Sequence, residues 1–269
     1  MRINARIRIG LALLGVLILS AAAGPLVVGD PFVFKTIARL KPPSSQNWFG
    51  TDNFGRDVLA RVVLGGRTSL WVGFCVAMTS GILGLSIGVV AGYYRRVDAI
   101  VMRFMDGLMA IPSILLAIAL VSLTGASMLT VMLAITIPEV PRVVRLVRSV
   151  VLTTRDLAYV DAAVTSGTRG FTLLWRHILP SALPPLIVQA TYVAGAAILI
   201  EAALGFLGIG TPPSIPTWGN MIGTSQRYFT VAPWIIMFPG IALAVAVLAV
   251  NVLGDGLRDG LDPRLSRHV

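Results

Sequence analysis

Few side chains in this sequence are of a type and spacing that could do chemistry. Glu139 and Glu201 are carboxylates in or beside long apolar runs, where an ionisable group can relay protons or ions across a membrane. Glu139 lies between Pro138 and Pro141 and close to Arg142 and Arg145, which points to a local ion pair. For Glu201 two readings stand open: it faces a translocation path, or it hydrogen-bonds to a neighbouring helix. Both histidines, His177 and His268, fall outside the apolar runs, and no lysine lies within one. Cys75 is the only cysteine, so the chain can form neither an internal disulfide nor a thiolate metal cluster, and Cys75 reads as a small buried hydrophobe. Gly29 and Lys35-Thr36 have the spacing of a phosphate-binding loop, but Phe34 stands where the second glycine must expose backbone N–H groups. There is no His pair, no Cys beside His and no carboxylate cluster in a span. The chain by itself is expected to be no enzyme and to hold no cofactor or metal.

The elements around these residues are apolar. Of 269 residues 56% are hydrophobic and 13% charged, with a mean hydropathy of +0.84, whereas a soluble domain carries about 25% charged residues. The sequence is that of an all-α integral membrane protein. Its net charge of +10 does not indicate nucleic acid, because the arginines gather at the ends of apolar runs, where they set membrane orientation.

Six spans are expected, at about 9–29, 69–93, 107–123, 128–149, 185–208 and 233–253. Residues 9–29 follow Arg2, Arg6 and Arg8 and include Ala21-Ala22-Ala23, a possible leader-cleavage site; a run of about 20 residues is long enough to span, and a retained first helix is favoured. The uncharged run from Gly107 to Pro138 lies between two arginine clusters that belong on the same side, so the chain must cross twice. The turn is placed at Thr124-Gly125-Ala126-Ser127. Both termini are then cytoplasmic, with 15 of the 22 basic residues on that side. The outer segment, about 30–67, reads as extended chain over 30–47 and as a short interfacial helix over 57–65, with Val58, Leu59, Val62 and Val63 on one face. Arg95–Asp106 is amphipathic and reads as an interfacial helix leading into the third span, with a second contact to a cytoplasmic partner as the alternative. The domain layout is 1–66 (first helix and extracytoplasmic segment), 67–257 (membrane core) and 258–269 (cytoplasmic tail).

The cytoplasmic loop at about 156–180 is a polar, two-part helical segment between long apolar runs. Thr153 or Thr154 can cap a helix with Asp156 in its first turn, and that helix runs through Asp161, Ala162 and Ala163. The two alanines allow a close approach of another surface, and Asp161 adds an acceptor. Gly167 and Gly170 permit a sharp turn. A second helix, about 171–178, has Phe171, Leu174, Trp175 and Ile178 as its apolar set, and Pro180 is expected to end it.

Asp161, Ala162, Ala163, Gly167, Leu179 and Pro180, at these offsets, resemble the EAA loop of ABC importer permeases. Asp161 replaces the usual Glu, and His177 stands where the broad pattern has an apolar residue. A His-x-Leu-Pro form is similar to the peptide-importer branch. Glu201-Ala202-Ala203 is a decoy, since Leu207 occupies the place of the glycine. Gly50-Thr51-Asp52-Asn53-Phe54-Gly55-Arg56-Asp57 and Gly66-Arg67-Thr68-Ser69-Leu70 resemble the N-terminal signature of dipeptide/oligopeptide/nickel permeases. So do Met102-Arg103 with Asp106, Gly205-Phe206-Leu207-Gly208 through Pro212-Pro213 to Trp218-Gly219-Asn220, and Asn251 through Asp262-Pro263-Arg264. The order of segments resembles the C-type subunit.

The resemblance implies a type I importer of the bacterial cytoplasmic membrane, in which this chain pairs with a B-type permease, two ABC ATPase subunits and an extracytoplasmic binding protein. ATP and Mg are then bound by the ATPases. Their motion enters the membrane through the loop carrying Asp161, Ala162, Ala163, Gly167, His177, Leu179 and Pro180. Peptides are the first-choice substrate, with nickel chelates or glutathione behind them.

Overall fold

The computed structural model describes residues 4–261. Arg2, the segment Asp262-Pro263-Arg264 and the rest of the expected tail beyond residue 261 lie outside the described residues. Among the described residues the regular structure is helical, apart from one antiparallel bridge between Thr51 and Asp57, and most of 28–57 and 207–217 is irregular. The elements are α1 (Ala5–Val27), α2 (Val58–Tyr93), α3 (Arg95–Met109), α4 (Ser113–Thr124), α5 (Met128–Arg155), α6 (Ala158–Thr165), α7 (Gly170–Leu173), α8 (Leu179–Phe206), α9 (Trp218–Ser225) and α10 (Trp234–Leu261). A π-turn over Leu174–Ile178 joins α7 to α8 without a break.

Four helices are long and apolar enough to cross a membrane: α1, α2, the continuous Gly170–Phe206 helix and α10. Counting α3 and α4 together gives a fifth. α5 has 28 residues, but Glu139, Arg142 and Arg145 interrupt its apolar character.

The centre of the bundle is the α2–α5 contact. Gly84, Gly88 and Gly92 recur every four residues on α2 and face Val143, Val147 and Val151, which recur every four residues on α5. A Cβ at these glycines would stand 2.4, 2.8 and 2.7 Å from the respective valine side chains. Bare backbone is therefore what lets the two helices meet. Such small-residue seams suit a membrane bundle, where association rests on close packing rather than on leaving water. Val72, Val76, Ile135, Val193 and Ala197 extend this core toward α8.

The structure departs from the sequence expectations in four places. The 57–65 segment is no separate interfacial helix but the first turns of α2, which runs unbroken for 36 residues. Asp57 caps it, accepting from Leu59 N at 2.7 Å and Ala60 N at 3.2 Å, and Val58 and Val62 are buried inside the bundle. The 107–123 segment is not one helix. The chain breaks at Pro112, which lacks a donor and keeps the preceding residue out of the helical region. As a result α3 and α4 diverge by 86°. At about 1.5 Å per residue, the 12 residues of α4 cover only part of a bilayer core about 30 Å thick. Cys75 is half-buried rather than buried. The fourth departure concerns the loop before α8.

The turn at 124–127 falls where the sequence places it. α4 ends at Thr124, Gly125 has φ 88°, and Ser127 caps α5 through a reciprocal pair with Thr130. The outer segment is knotted around Asp52. Its Oδ1 accepts from Phe54 N and Arg56 N, and its Oδ2 accepts from Arg56 Nε at 2.6 Å.

Candidate functional site

The stretch between α5 and α8 is built from the inside outward. α5 ends at Arg155, and Thr153 and Thr154 belong to its last turn; Thr153 Oγ1 donates back to Ser149 O, so neither threonine caps a new helix. Asp156 is the C-cap of α5 rather than a first-turn acid of α6. α6 starts from Leu157 with Asp161 in its first turn, where a negative charge suits the exposed N–H groups. It ends in a Schellman motif. Gly167 N donates to Val164 O and Thr168 N to Ala163 O, both at 3.0 Å, with Gly167 at φ +90°. That backbone geometry is open to glycine and strained for other residues.

The second helix does not stop at Pro180. Pro180 lies at the start of α8, and the chain continues to Phe206. Proline removes one donor and crowds the carbonyl four residues earlier. The π-turn accommodates this by widening the helix just before the proline, with Leu179 N donating to Leu174 O. The wider turn also splits the expected apolar set. Leu173, Leu174 and Ile178 point inward and join Val151, Val160 and Ala182 in the core. Phe171 and Trp175 point outward, 75% and 63% exposed, with ring centroids 6.0 Å apart. Tyr159 ties the two halves together, its hydroxyl donating to His177 O at 3.0 Å and lying 3.3 Å from Ser181 Oγ.

Thus the structure gathers the expected residues on one compact projection. Asp161, Ala162 and Gly167 are exposed, Ala163, His177 and Leu179 are half-buried, and Pro180 is exposed. The Tyr159 tie was not anticipated from the sequence, and Phe171 and Trp175 were expected only as part of the apolar set. Their signal in the sequence was aromatic character on a polar loop, and only the π-turn decides which aromatics face out.

The two carboxylates are separate from this projection. Glu139 is buried and accepts from Arg142 Nη1 at 2.8 Å, the ion pair expected of it. Glu201 is fully buried in α8 and accepts from Ser69 Oγ of α2 at 3.1 Å, while its other oxygen has no partner. Of its two open readings, hydrogen bonding to a neighbouring helix is the one with a partner in place. Beside it, Trp218 Nε1 donates to Val62 O at 2.9 Å, and a Cβ on Gly219 would lie 2.6 Å from Ala202 Cα. The Gly205 to Asn220 signature is thereby a tight joint between α8, α9 and α2. Among the described residues no group of three or more His, Cys, Asp or Glu is placed to hold a metal.

Comparison with known proteins decides what this helical protein is. Residues 84–267 match the family model described as "binding-protein-dependent transport system inner membrane component". The chain belongs to this family of transporter permeases. The permease is 55% identical over 250 residues to a probable peptide ABC transporter permease protein of Sinorhizobium fredii, covering 93% of this chain and 86% of that one. It is 44% identical to the dipeptide transport system permease protein of Alkalihalophilus pseudofirmus, covering 96% and 85%. In fold it resembles a chain of the MetNI methionine ABC transporter solved in inward-facing conformations, with a TM-score of 0.54 at 20% identity, covering 74% of this permease and 97% of that chain. The permease is accordingly a multi-pass inner-membrane protein of ABC transport systems.

Proposed function

We propose that this chain is the six-span permease subunit of an ATP-driven importer of dipeptides or oligopeptides. The names of its relatives support the substrate class. The spans are α1, α2, the α4 region with the end of α3, α5, α8 and α10, grouped as 1–66, 67–257 and 258–269. The distribution of arginines favours cytoplasmic termini and a cytoplasmic 156–180 loop. The chain pairs with a B-type permease and receives peptide from an extracytoplasmic binding protein. Two ATPase subunits hold ATP and Mg.

The coupling element is the projection carrying Asp161, Ala162, Ala163, Gly167, His177, Leu179 and Pro180. One observation carries this assignment: a stacked aromatic pair, Phe171 and Trp175, stands exposed on a loop whose inner face is locked into the core. Aromatic side chains on a rigid base are typical anchors of a protein interface. Closure of the ATPases on ATP would push this projection as a body. α8 continues it without a break, so the push reaches the membrane bundle as a tilt rather than being lost in a flexible linker. Glu201 enters as a joint residue that holds α8 on Ser69 during that motion.

Gly167→Pro cannot keep the +90° backbone of the Schellman turn, and Asp161→Lys reverses an exposed charge. Both variants are expected to insert normally and to lose most peptide uptake in cells carrying the complete transporter. Wild-type uptake by both would overturn the coupling assignment.

A further inference from the structure

The amphipathic helix α3 has two faces with opposite fates. Val97, Val101 and Met105 turn inward, and Met105 packs against Val140 and Val144 of α5. The two acids of α3 are also taken up by α5. Asp98 is gripped at both oxygens by Arg148, and Asp106 accepts from Arg145 Nη2 at 2.7 Å. The other face carries Arg96, Ile100, Arg103 and Phe104, all exposed, with Ile100 at 75% and Phe104 at 65%. Neither Arg96 nor Arg103 has a hydrogen bond or ion pair among the described residues. Beside Arg103 lies an open apolar groove of about 700 Å³, lined by Ala99, Ile100, Phe104, Gly107 and Leu108.

This arrangement separates charge by design of the contacts. Pairing both acids with α5 leaves an outer stripe that is purely cationic and apolar. Arg96 and Arg103 stand seven residues apart, two turns on one face, with Ile100 and Phe104 between and beside them. A soluble partner would have to bury two isolated large hydrophobes on a helix that an 86° bend turns away from the line of α4. A bilayer surface of negative charge meets both needs at once: phosphate headgroups for the guanidinium groups and acyl chains for Ile100, Phe104 and the groove.

We infer that the outer stripe of α3, formed by Arg96, Ile100, Arg103 and Phe104, is a binding surface for anionic phospholipid. Two arginines at 10 Å or so along one face are spaced to engage more than one headgroup. Since α3 is held to α5 by two ion pairs, and α5 leads directly into the α6 projection, lipid held here steadies the base of that projection. The inference rests on family membership as a membrane protein and does not require the peptide or coupling assignments.

The test is a lipid-binding measurement on the purified full chain. Native mass spectrometry in mild detergent would be titrated with phosphatidylglycerol and, separately, with phosphatidylcholine. The wild-type chain should retain phosphatidylglycerol preferentially, and the double variant Arg96→Gln/Arg103→Gln should lower that preference by about five-fold per arginine. Arg227→Gln, at another exposed and unpaired arginine, should leave it unchanged. A photocrosslinker in place of Phe104, in membranes holding the complete transporter, should capture phospholipid. Equal retention of the two lipids by the wild-type chain would overturn the inference without reference to any variant. So would an equal loss with Arg227→Gln, or crosslinking of Phe104 to another protein subunit.

Discussion

The α2–α8–α9 joint and the α6–π-turn projection are made from similar residue types and put to opposite uses. Both contain glycines, tryptophan and a single acid. In the joint, Trp218 is 1% exposed, its indole N–H is satisfied by Val62 O, and Glu201 is sealed against Ser69. In the projection, Trp175 is 63% exposed and Asp161 faces outward. The joint's glycines make room for neighbouring backbone, whereas Gly167 has open space and is required for its left-handed turn. One region keeps helices at a fixed distance; the other leaves an aromatic surface exposed.

Three variants would sharpen or break this contrast. Trp218→Ala should have the largest effect. It empties the joint and leaves Val62 O without its partner, with an expected loss of about 3–5 kcal/mol, seen as a lower midpoint of thermal unfolding in detergent. If stability held, the α2–α8–α9 contact would not be the tight joint described. Phe171→Ala with Trp175→Ala should leave that midpoint within about 1 °C, because both rings are already exposed. Retention of the ATPases on the purified complex should instead fall by roughly 30-fold, the equivalent of about 2 kcal/mol for an interface anchor. A fall in the unfolding midpoint with normal ATPase retention would make the pair structural and dissolve the contrast.

The smallest effect belongs to the α3–α5 seam between the two regions. The hydrogen bonds from Arg148 hold the Asp98 carboxyl below its ordinary range. A depressed folded-state value means the stabilisation is complete above the unfolded value and is lost as pH falls through the folded one. Asp98→Asn should thus cost about 1 kcal/mol, constant from about pH 5 to 8. The gap to wild type should close only below about pH 4, near and under the ordinary carboxylate value. Thermal unfolding across that pH range measures it. A gap that closed near neutral pH would show that Arg148 is not what binds Asp98.

Much of this architecture was legible in the sequence because membrane helices announce themselves by length and by lack of charge. α1, α2, α8 and α10 follow from that alone, and Ser127 at the end of a small-residue turn marked the start of α5. The errors share one physical cause, which is that local signals do not reveal what a neighbouring element will do. Val58 and Val62 looked like one face of an interfacial helix, but the same face packs on the bundle, so the helix simply continues. Pro180 looked like a stop, but a widened turn absorbs it. Pro112 sat inside an apolar run and broke it. Gly84, Gly88 and Gly92 were a visible signal of close helix packing that passed unused, and their partners Val143, Val147 and Val151 could be identified only in three dimensions. For the projection, residue identities and order were legible, while the direction each aromatic faces was not.

That direction hangs on where along the helix an extra residue is absorbed. The segment Leu174–Ile178 holds one residue more than a regular helical turn of the same rise requires. Deleting a single residue there would restore regular winding and leave Phe171 over the same sector of α8, because the wide turn already absorbs the extra residue. The same deletion in the regular part of α8, where nothing absorbs it, would turn the exposed aromatic face by about 100°, although no residue on it had been replaced. A lineage could re-aim this surface at a differently placed partner by gaining or losing one codon.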